Sequence, residues 1–513
     1  MNETNKDTKR LFKNTLVLYT RMIVIMIITL YSSRIILQAL GVDDYGLYNV
    51  VGGVVTMLGF LKTSLTSATQ RFLSYEMGRN DTCKLKQVFS ICLSTHFFIS
   101  LFIVVLAETI GLWFLNTHIQ IPEGREVAAN WVYQYSVAAL AISMITVPYH
   151  ACTISHEKMA FFALVSILDA ILKLCFALAL VYTSKDKLIL YAGLMMLTNV
   201  LNFVLYWIYD RKFFHETKYS WFWDKTMFRE VFSFSGWTIV GQLAVVGSAQ
   251  GKSILVNIFH SVTANAAMGI ASQVNTAIVN LTSNFQMAFQ PQLTKCYAAR
   301  DYEYLNRLII GTSKVSFFLL FIVSLPIMLN IKWLLKVWLT DVPEYSALFC
   351  NLFIIASILN ALATPLWIAI FATGNIKKYQ LTLFFAYCSE LIFIYILFRS
   401  GFPPTSAMVV KVGLNFLMVF VRLYYTQQTV RNFSSINYLK KVLLPITMSS
   451  FLSIGVAYSL YYTKVVDTPQ IYATIIVLFV SIFSSYFIGL TIGERKMIKN
   501  LIYKRIKNKN YGK

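Results

Sequence analysis

Charge is what this chain has least of. Charged residues make up 13% of its 513 positions, against roughly a quarter in a soluble globular protein. Acids are the scarcer kind, with 23 Asp and Glu beside 45 Lys and Arg, which leaves a net charge of +22. Long polar segments are missing as well. The longest connection between apolar runs, residues 210–229, is about twenty residues, too short to fold as a domain. That excludes a resident ATPase domain, so ATP is not an expected partner. It also argues against membrane glycosyltransferases and polysaccharide polymerases, whose chemistry needs sizeable outside loops, and no enzyme activity is expected. The seven cysteines (Cys83, Cys92, Cys152, Cys175, Cys296, Cys350 and Cys388) are scattered. They form no disulfide framework and no zinc spacing. The six histidines are equally dispersed, and neither a metal nor a cofactor is expected.

Apolar sequence is what the chain has most of, 57% of positions. Long runs recur from "LVLYTRMIVIMIITLYSSRIILQAL" (Leu16–Leu40) to "IYATIIVLFVSIFSSYFIGLTI" (Ile471–Ile492). Roughly twenty apolar residues cross a bilayer as a helix. The pattern therefore predicts an all-α polytopic membrane protein with about 14 transmembrane helices. The expected spans are 16–40, 47–69, 87–116, 129–155, 160–182, 189–209, 231–259, 266–290, 309–339, 345–371, 379–399, 405–425, 442–463 and 470–492. The first fifteen residues are polar and no small-residue cleavage site follows the first run. That run reads as an uncleaved helix.

Most basic residues fall in connections that lie on one side if the N-terminus is cytoplasmic. They include "RKFFHETK" (Arg211–Lys218), Lys440–Lys441 and the tail from Glu494 to Lys513. The opposite loops, "GVDDYG" (Gly41–Gly46) and "DVPE" (Asp341–Glu344) among them, are short and uncharged or acidic. This asymmetry puts both termini in the cytoplasm. The positive charge also attracts anionic membrane lipids. Its dispersal over many segments makes nucleic acid an unexpected partner.

An internal repeat organises the chain. Residues 40–100 overlie residues 260–320 without a gap, and eleven positions are identical. They include Val42 with Val262, Thr56 with Thr276, Gln70 with Gln290, Asp81 with Asp301, Leu85 with Leu305, and Phe97–Phe98 with Phe317–Phe318. The offset covers an even number of spans, so the repeat is parallel, with substrate expected between the halves. Two pseudo-symmetric six-helix bundles are predicted, residues 1–228 and 229–425. Residues 426–513 add two helices and a basic tail.

Two sets of polar residues stand out within the spans. Span two carries Gly52, Thr56, Gly59, Thr63, Thr66 and Gln70 at helical spacing, one face of the helix. Span eight carries Thr276, Asn280, Ser283, Asn284, Gln286 and Gln290. Such residues let membrane helices pack closely, and their amide side chains also suit a wet cavity. The second set is charged. A charge at bilayer depth costs at least ~2.5–3.5 kcal/mol and tends to mark a pathway or a partner. Lys173 follows Asp169 by four residues, the spacing of a same-face ion pair. Lys314 lies near an inner helix end, and Lys332 and Lys336 read as interfacial anchors. Arg21, Arg34, Lys62, Lys252 and Lys411 are the expected cavity cations. Of these, Arg34, Lys62, Lys252 and Lys411 have no acid three or four positions away. Glu108, Asp169 and Glu390 are candidates for coupling to H+ or Na+, or for structural partnership. Lys252 also ends "VGSAQGKS" (Val246–Ser253), one glycine short of a phosphate-gripping P-loop. That motif needs a preceding strand and a soluble helix, and an apolar span supplies neither.

"LGVDDYGLYNVVGG" (Leu40–Gly53) and "ATQRFLSYEMGRND" (Ala68–Asp81) resemble the polysaccharide (O-antigen type) flippases of the multidrug/oligosaccharidyl-lipid/polysaccharide exporter superfamily. "NAAMGIASQVN" (Asn265–Asn275) and "FQPQLTKCYAARD" (Phe289–Asp301) are similar to the corresponding part of the second bundle. The resemblance implies a MATE-like fold and a bacterial inner-membrane protein. Its expected cargo is an undecaprenyl-diphosphate-linked oligosaccharide, moved to the outer leaflet by alternating access. It further implies that basic residues of spans one, two, seven and eight face the cavity, which Arg21, Arg34, Lys62 and Lys252 match. Span eight departs from that pattern, offering Asn and Gln instead of a cation. A peptidoglycan lipid-precursor flippase and a cation-coupled multidrug exporter of the same fold are the nearest alternatives. Outward movement of about two negative charges is favoured by roughly 4–5 kcal/mol per 100 mV, inside negative.

Overall fold

A computed structural model describes residues 2–56, 59–118, 121–183, 186–220, 224–339, 341–462, 471–491 and 493–495. All regular structure among them is helical. The first seven helices are α1 (Asn2–Thr56), α2 (Gly59–Gly78), α3 (Thr82–Leu106), α4 (Leu112–His118), α5 (Glu126–Ser155), α6 (Met159–Val181) and α7 (Lys187–Phe213). Next come α8 (Lys225–Phe259), α9 (Val262–Ala298), α10 (Tyr302–Leu329), the short α11 (Ile331–Trp338), α12 (Ser346–Thr373), α13 (Lys377–Arg399) and α14 (Ser406–Thr429). After these come α15 (Ser435–Tyr438), α16 (Leu444–Tyr462) and α17 (Ile471–Ser484). Two compact units divide it, one formed by Phe12–Leu243 and a second running from Ala244.

Eleven helical stretches are long and apolar enough to cross a membrane among the described residues. Three of the fourteen expected spans are not in that set. The last is short, an apolar helix over Thr474–Gly489. Of the other two, the second expected span, 47–69, is described only on either side of residues 57–58, and α9 carries a polar face. Polar groups on such a helix must find protein or water at membrane depth.

The repeat reappears in the helix boundaries. α2 ends at Gly78 and α9 at Ala298, and the following helices start at Thr82 and Tyr302. Both turns carry a left-handed residue, Asn80 in one and Arg300 in the other. Asp81 caps α3 by accepting from the Lys84 amide at 3.0 Å, and Asp301 caps α10 by accepting from the Tyr304 amide at 3.0 Å. An aspartate N-cap satisfies an amide that the first turn would leave without a partner, so the matched Asp in each half has a physical reason. α5 and α12 begin at Glu126 and Ser346, again in register.

Three expectations about connections are corrected. The loop expected at Gly41–Gly46 is helical, and only Gly41 breaks α1, at φ 80 and ψ 172. Glycine alone occupies that region without strain. Gly41→Ala is expected to cost about 1–3 kcal/mol for that reason, read as a lowered unfolding temperature in detergent, since no neighbour lies within 4 Å to clash with the added Cβ. Span nine does not continue to residue 339. It breaks at Asn330, whose side-chain amide donates to the Pro326 carbonyl at 2.8 Å. Lys332 and Lys336 therefore ride the separate α11, where Trp333 and Trp338 are exposed. The connection between α7 and α8 is also shorter than expected, because α7 continues to Phe213 and α8 begins at Lys225.

In the first unit, Leu40, Leu47, Val51, Val132, Tyr133, Leu180 and Leu188 belong to one apolar core. At one end of that unit the Arg125 guanidinium holds both Asp44 and Asp186, the latter at 2.6 Å. These residues come from three connections that the charge pattern assigns to the same side. In the second unit, Phe289, Leu320, Ile354 and Leu366 share a core with Tyr438, Val442, Ala457 and Val477. The last two apolar helices are thus packed into that unit's core.

Candidate functional site

The predicted cavity cations separate into paired and unpaired ones. Lys252 is on α8 and 6% exposed. Its Nζ donates to Glu390 Oε1 at 2.9 Å and to Ser248 Oγ at 3.0 Å. Ser248 in turn donates to Glu390 Oε2 at 2.6 Å. Ser248 and Lys252 lie one turn apart on the same helix face, while Glu390 comes from α13. Lys411 on α14 reaches Glu390 Oε2 at 3.8 Å and stands over the Tyr387 ring at 4.2 Å. Neither Lys252 nor Lys411 is the lone cation that local spacing predicts. One carboxylate serves both, supplied 138 residues from Lys252. Glu390 is therefore a structural partner of two cations in this arrangement. A buried charge demands such pairing.

Arg422 was not among the expected site residues. It lies near the end of α14, where a long cation ordinarily snorkels. Instead it is buried, with Nε donating to Tyr379 Oη at 3.0 Å and Nη1 to Asn360 Oδ1 at 3.0 Å. No sequence signal sets it apart from an interfacial arginine.

In the first unit, Lys173 Nζ donates to Asp169 Oδ2 at 2.7 Å, the same-face pair expected from spacing. Asn202 donates to the other carboxylate oxygen at 2.8 Å, so Asp169 is structurally engaged. Glu108 lies in a π-helical turn, Ala107–Gly111, and accepts from Gln134 at 3.0 Å. The Arg21 guanidinium stands over the Phe162 ring at 4.4 Å. Arg34 and Lys62 are exposed on this unit and form no ion pair or side-chain hydrogen bond among the described residues. They are the two predicted cations without an ion pair there, although Lys62 lies near enough to Asp169 and Lys173 to feel both charges.

The polar faces are also divided. Thr63 is exposed, and its hydroxyl donates to the Gly59 carbonyl at 3.1 Å. Gln70 is buried at the other end of α2, and Nε2 has no partner there among the described residues. The side chain of Thr56 lies outside the described residues. On α9, Asn280 is exposed and Gln286 and Gln290 are half-buried. Asn284 is buried, and its amide donates to the Asn280 carbonyl at 2.7 Å. The near-P-loop is settled as well, since Val246–Ser253 lies inside α8 with no strand before it.

No sequence-family model matches the chain, and no curated protein does. Solved structures do. A multidrug resistance MATE family transporter of the MOP superfamily, in an outward-facing conformation, is similar with a TM-score of 0.70 and 13% identity, over 82% of this chain and 95% of that one. The Vibrio cholerae MATE transporter VcmN in its bent form is similar with a TM-score of 0.66 and 15% identity, over 85% of this chain and all of that one. A MOP superfamily transporter from Pyrococcus furiosus, described by a binding pocket of reverse polarity that suggests a different function, gives a TM-score of 0.66 and 14% identity over 82% and 95%. The chain therefore has the multi-pass fold of MATE transporters of the MOP superfamily, the fold class its spans and repeat predict.

Proposed function

We propose that this protein is a flippase for an undecaprenyl-diphosphate-linked oligosaccharide. It moves that lipid from the inner to the outer leaflet of a bacterial inner membrane by alternating access, with both termini in the cytoplasm. One observation carries the reading. Lys173, Lys252, Lys314 and Lys411 each have a carboxylate partner, whereas Arg34 and Lys62 have none among the described residues. A cation left unpaired in a membrane protein is costly unless an anion visits it, and a diphosphate is an anion of the right chemistry. The polarity of α2 and α9 supports the same reading, because hydroxyl and amide groups suit a sugar. Arg21 in the first unit, and Lys252 and Lys411 in the second, are proposed as further substrate-binding cations.

The test is flipping of the lipid-linked oligosaccharide in vesicles by Arg34→Gln and Lys62→Gln, with insertion checked for each. Each variant is expected to lose at least about tenfold in rate, the equivalent of one charge-assisted contact. Unchanged flipping in both would overturn the diphosphate assignment.

A second reading, cation-coupled multidrug export by the same fold, is favoured by the carboxylates Asp169 and Glu390 within the helices. It predicts efflux of a cationic dye that depends on a proton or sodium gradient and survives loss of Arg34 and Lys62. The flippase reading predicts no such efflux.

A further inference from the structure

Outside the cation set, the described residues hold a second constellation that the transport reading does not use. Cys152 and His156 stand four residues apart near the end of α5, on one helical face. Glu216 meets them from the single 3₁₀ turn His215–Thr217 that follows α7. The ligand-type atoms of all three lie within 4.8 Å of one another. His156 Nε2 is 2.5 Å from Glu216 Oε1, and Cys152 Sγ is 3.9 Å from the same oxygen. We propose that Cys152, His156 and Glu216 form a binding site for a divalent transition-metal ion of the zinc class.

Geometry supports it first. Metal–ligand bonds of about 2.0–2.3 Å at tetrahedral angles separate neighbouring ligand atoms by roughly 3.3–3.8 Å. The Cys152–Glu216 separation is already close to that range. The His156–Glu216 contact has to open by somewhat under an ångström, a side-chain rotation, to admit the ion. The imidazole plane is set beforehand, because the ring stacks on Phe214 at 3.9 Å with 3° between planes. Fixing a ligand ring in this way is how outer contacts prepare a metal site.

Charge balance supports it next. Binding breaks the Cys152 S–H bond, forms a metal–sulfur bond and releases the proton to solvent, while the ion sheds bound water. One thiolate, one carboxylate and a neutral imidazole then neutralise a 2+ ion, which keeps the buried site free of net charge. Glu216 Oε1 already faces both His156 Nε2 and Cys152 Sγ. It is ready as an anionic ligand. The sulfur donor favours zinc-like ions over magnesium or calcium, which prefer oxygen cages.

A second, independent observation is Asp210. It is 0% exposed, and while Oδ1 accepts from Thr153 at 2.8 Å, Oδ2 is buried with no hydrogen-bond partner among the described residues. Asp210 acts electrostatically on both Cys152 and Glu216. A buried carboxylate oxygen left without a donor is unfavourable unless a proton or a nearby cation offsets it. Entry is available, because the His156 side chain is 27% exposed and that of Glu216 10%, whereas Cys152 is buried. A bound ion would tie the end of α5 to the α7–α8 connection. The expectation of no metal came from the scatter of cysteines and histidines along the chain, which does not reveal that Glu216 meets Cys152 and His156.

The experiment titrates the full-length purified protein in detergent with Co2+ and then displaces it with Zn2+. A near-ultraviolet thiolate-to-cobalt charge-transfer band, one ion per chain, is the expected result. Zn2+ should also raise the unfolding temperature. Cys152→Ser should abolish the band, and His156→Ala and Glu216→Gln should each weaken binding by at least about tenfold. Absence of the thiolate band in the unaltered protein overturns the proposal, as does a band that survives Cys152→Ser. If a variant does not fold, zinc-edge X-ray absorption of the unaltered protein decides, since the site requires one sulfur in the coordination shell. None of these outcomes bears on flipping, so the two proposals stand or fall separately.

Discussion

Glu390→Gln is expected to destabilise the protein by about 3–5 kcal/mol, because it strands two buried cations at once. The Glu390 side chain is 0% exposed, and those of Lys252 and Lys411 are 7% and 18% exposed. Glutamine keeps the shape and can still accept from Ser248, but it supplies no negative charge. Adding Lys252→Met to Glu390→Gln should recover most of the loss, since an apolar replacement of a buried ion pair is often neutral or stabilising. Lys411 is then left with the Tyr387 ring, a weaker partner. Thermal unfolding in detergent reads the stability, and flipping in vesicles reads the transport. A double variant as unstable as the single one would show that the lysine's charge is not what suffers, and the pairing account would fail. If Lys252 handles cargo, the double variant regains stability without regaining transport.

Glu494→Gln comes next in expected effect. Lys314 is 0% exposed, and its Nζ donates to Glu494 Oε2 at 3.0 Å. Glu494 also accepts from the Thr491 amide at 2.7 Å and donates its own amide to Thr491 Oγ1 at 3.4 Å. That reciprocal pair caps the turn. Removing the carboxylate's charge leaves a fully buried lysine without its ion pair, at about 3 kcal/mol, the lower end for a broken buried pair because Glu494 itself is 28% exposed. Lys314→Met should cost under about 1.5 kcal/mol, because a chain of similar volume fills the same space. The asymmetry is the test. Equal losses from the two single variants would mean that Lys314 is not paying a desolvation cost in the native protein.

Much of the architecture was legible in the chain itself. Apolar length sets helix positions, since an unsatisfied backbone at membrane depth is prohibitive, and most expected limits fall within a few residues of the observed ones. The gapless repeat found its counterpart in two left-handed turn residues at matching positions and in two aspartate caps, where the same local hydrogen bond needs the same residue in both halves. Lys173 with Asp169 was equally legible, since one helical turn brings the two together regardless of what surrounds them.

Long-range partners were not legible. Local spacing leaves Lys252 and Lys411 alone, and only the packing of α8, α13 and α14 gives them Glu390. Lys314 finds Glu494 across 180 residues, and Glu216 reaches His156 across 60. The kink at Gly41 was missed for a related reason. A polar stretch reads as a loop, yet an α-helix satisfies its backbone internally and needs only one glycine to turn. The sequence by itself determined which segments are helices and which charges sit among them, because both follow from hydrophobicity and helical periodicity. Beyond the same-helix pair of Lys173 with Asp169, tertiary structure alone decided which of those charges are neutralised, because such a salt bridge depends on distance in space and not on distance along the chain.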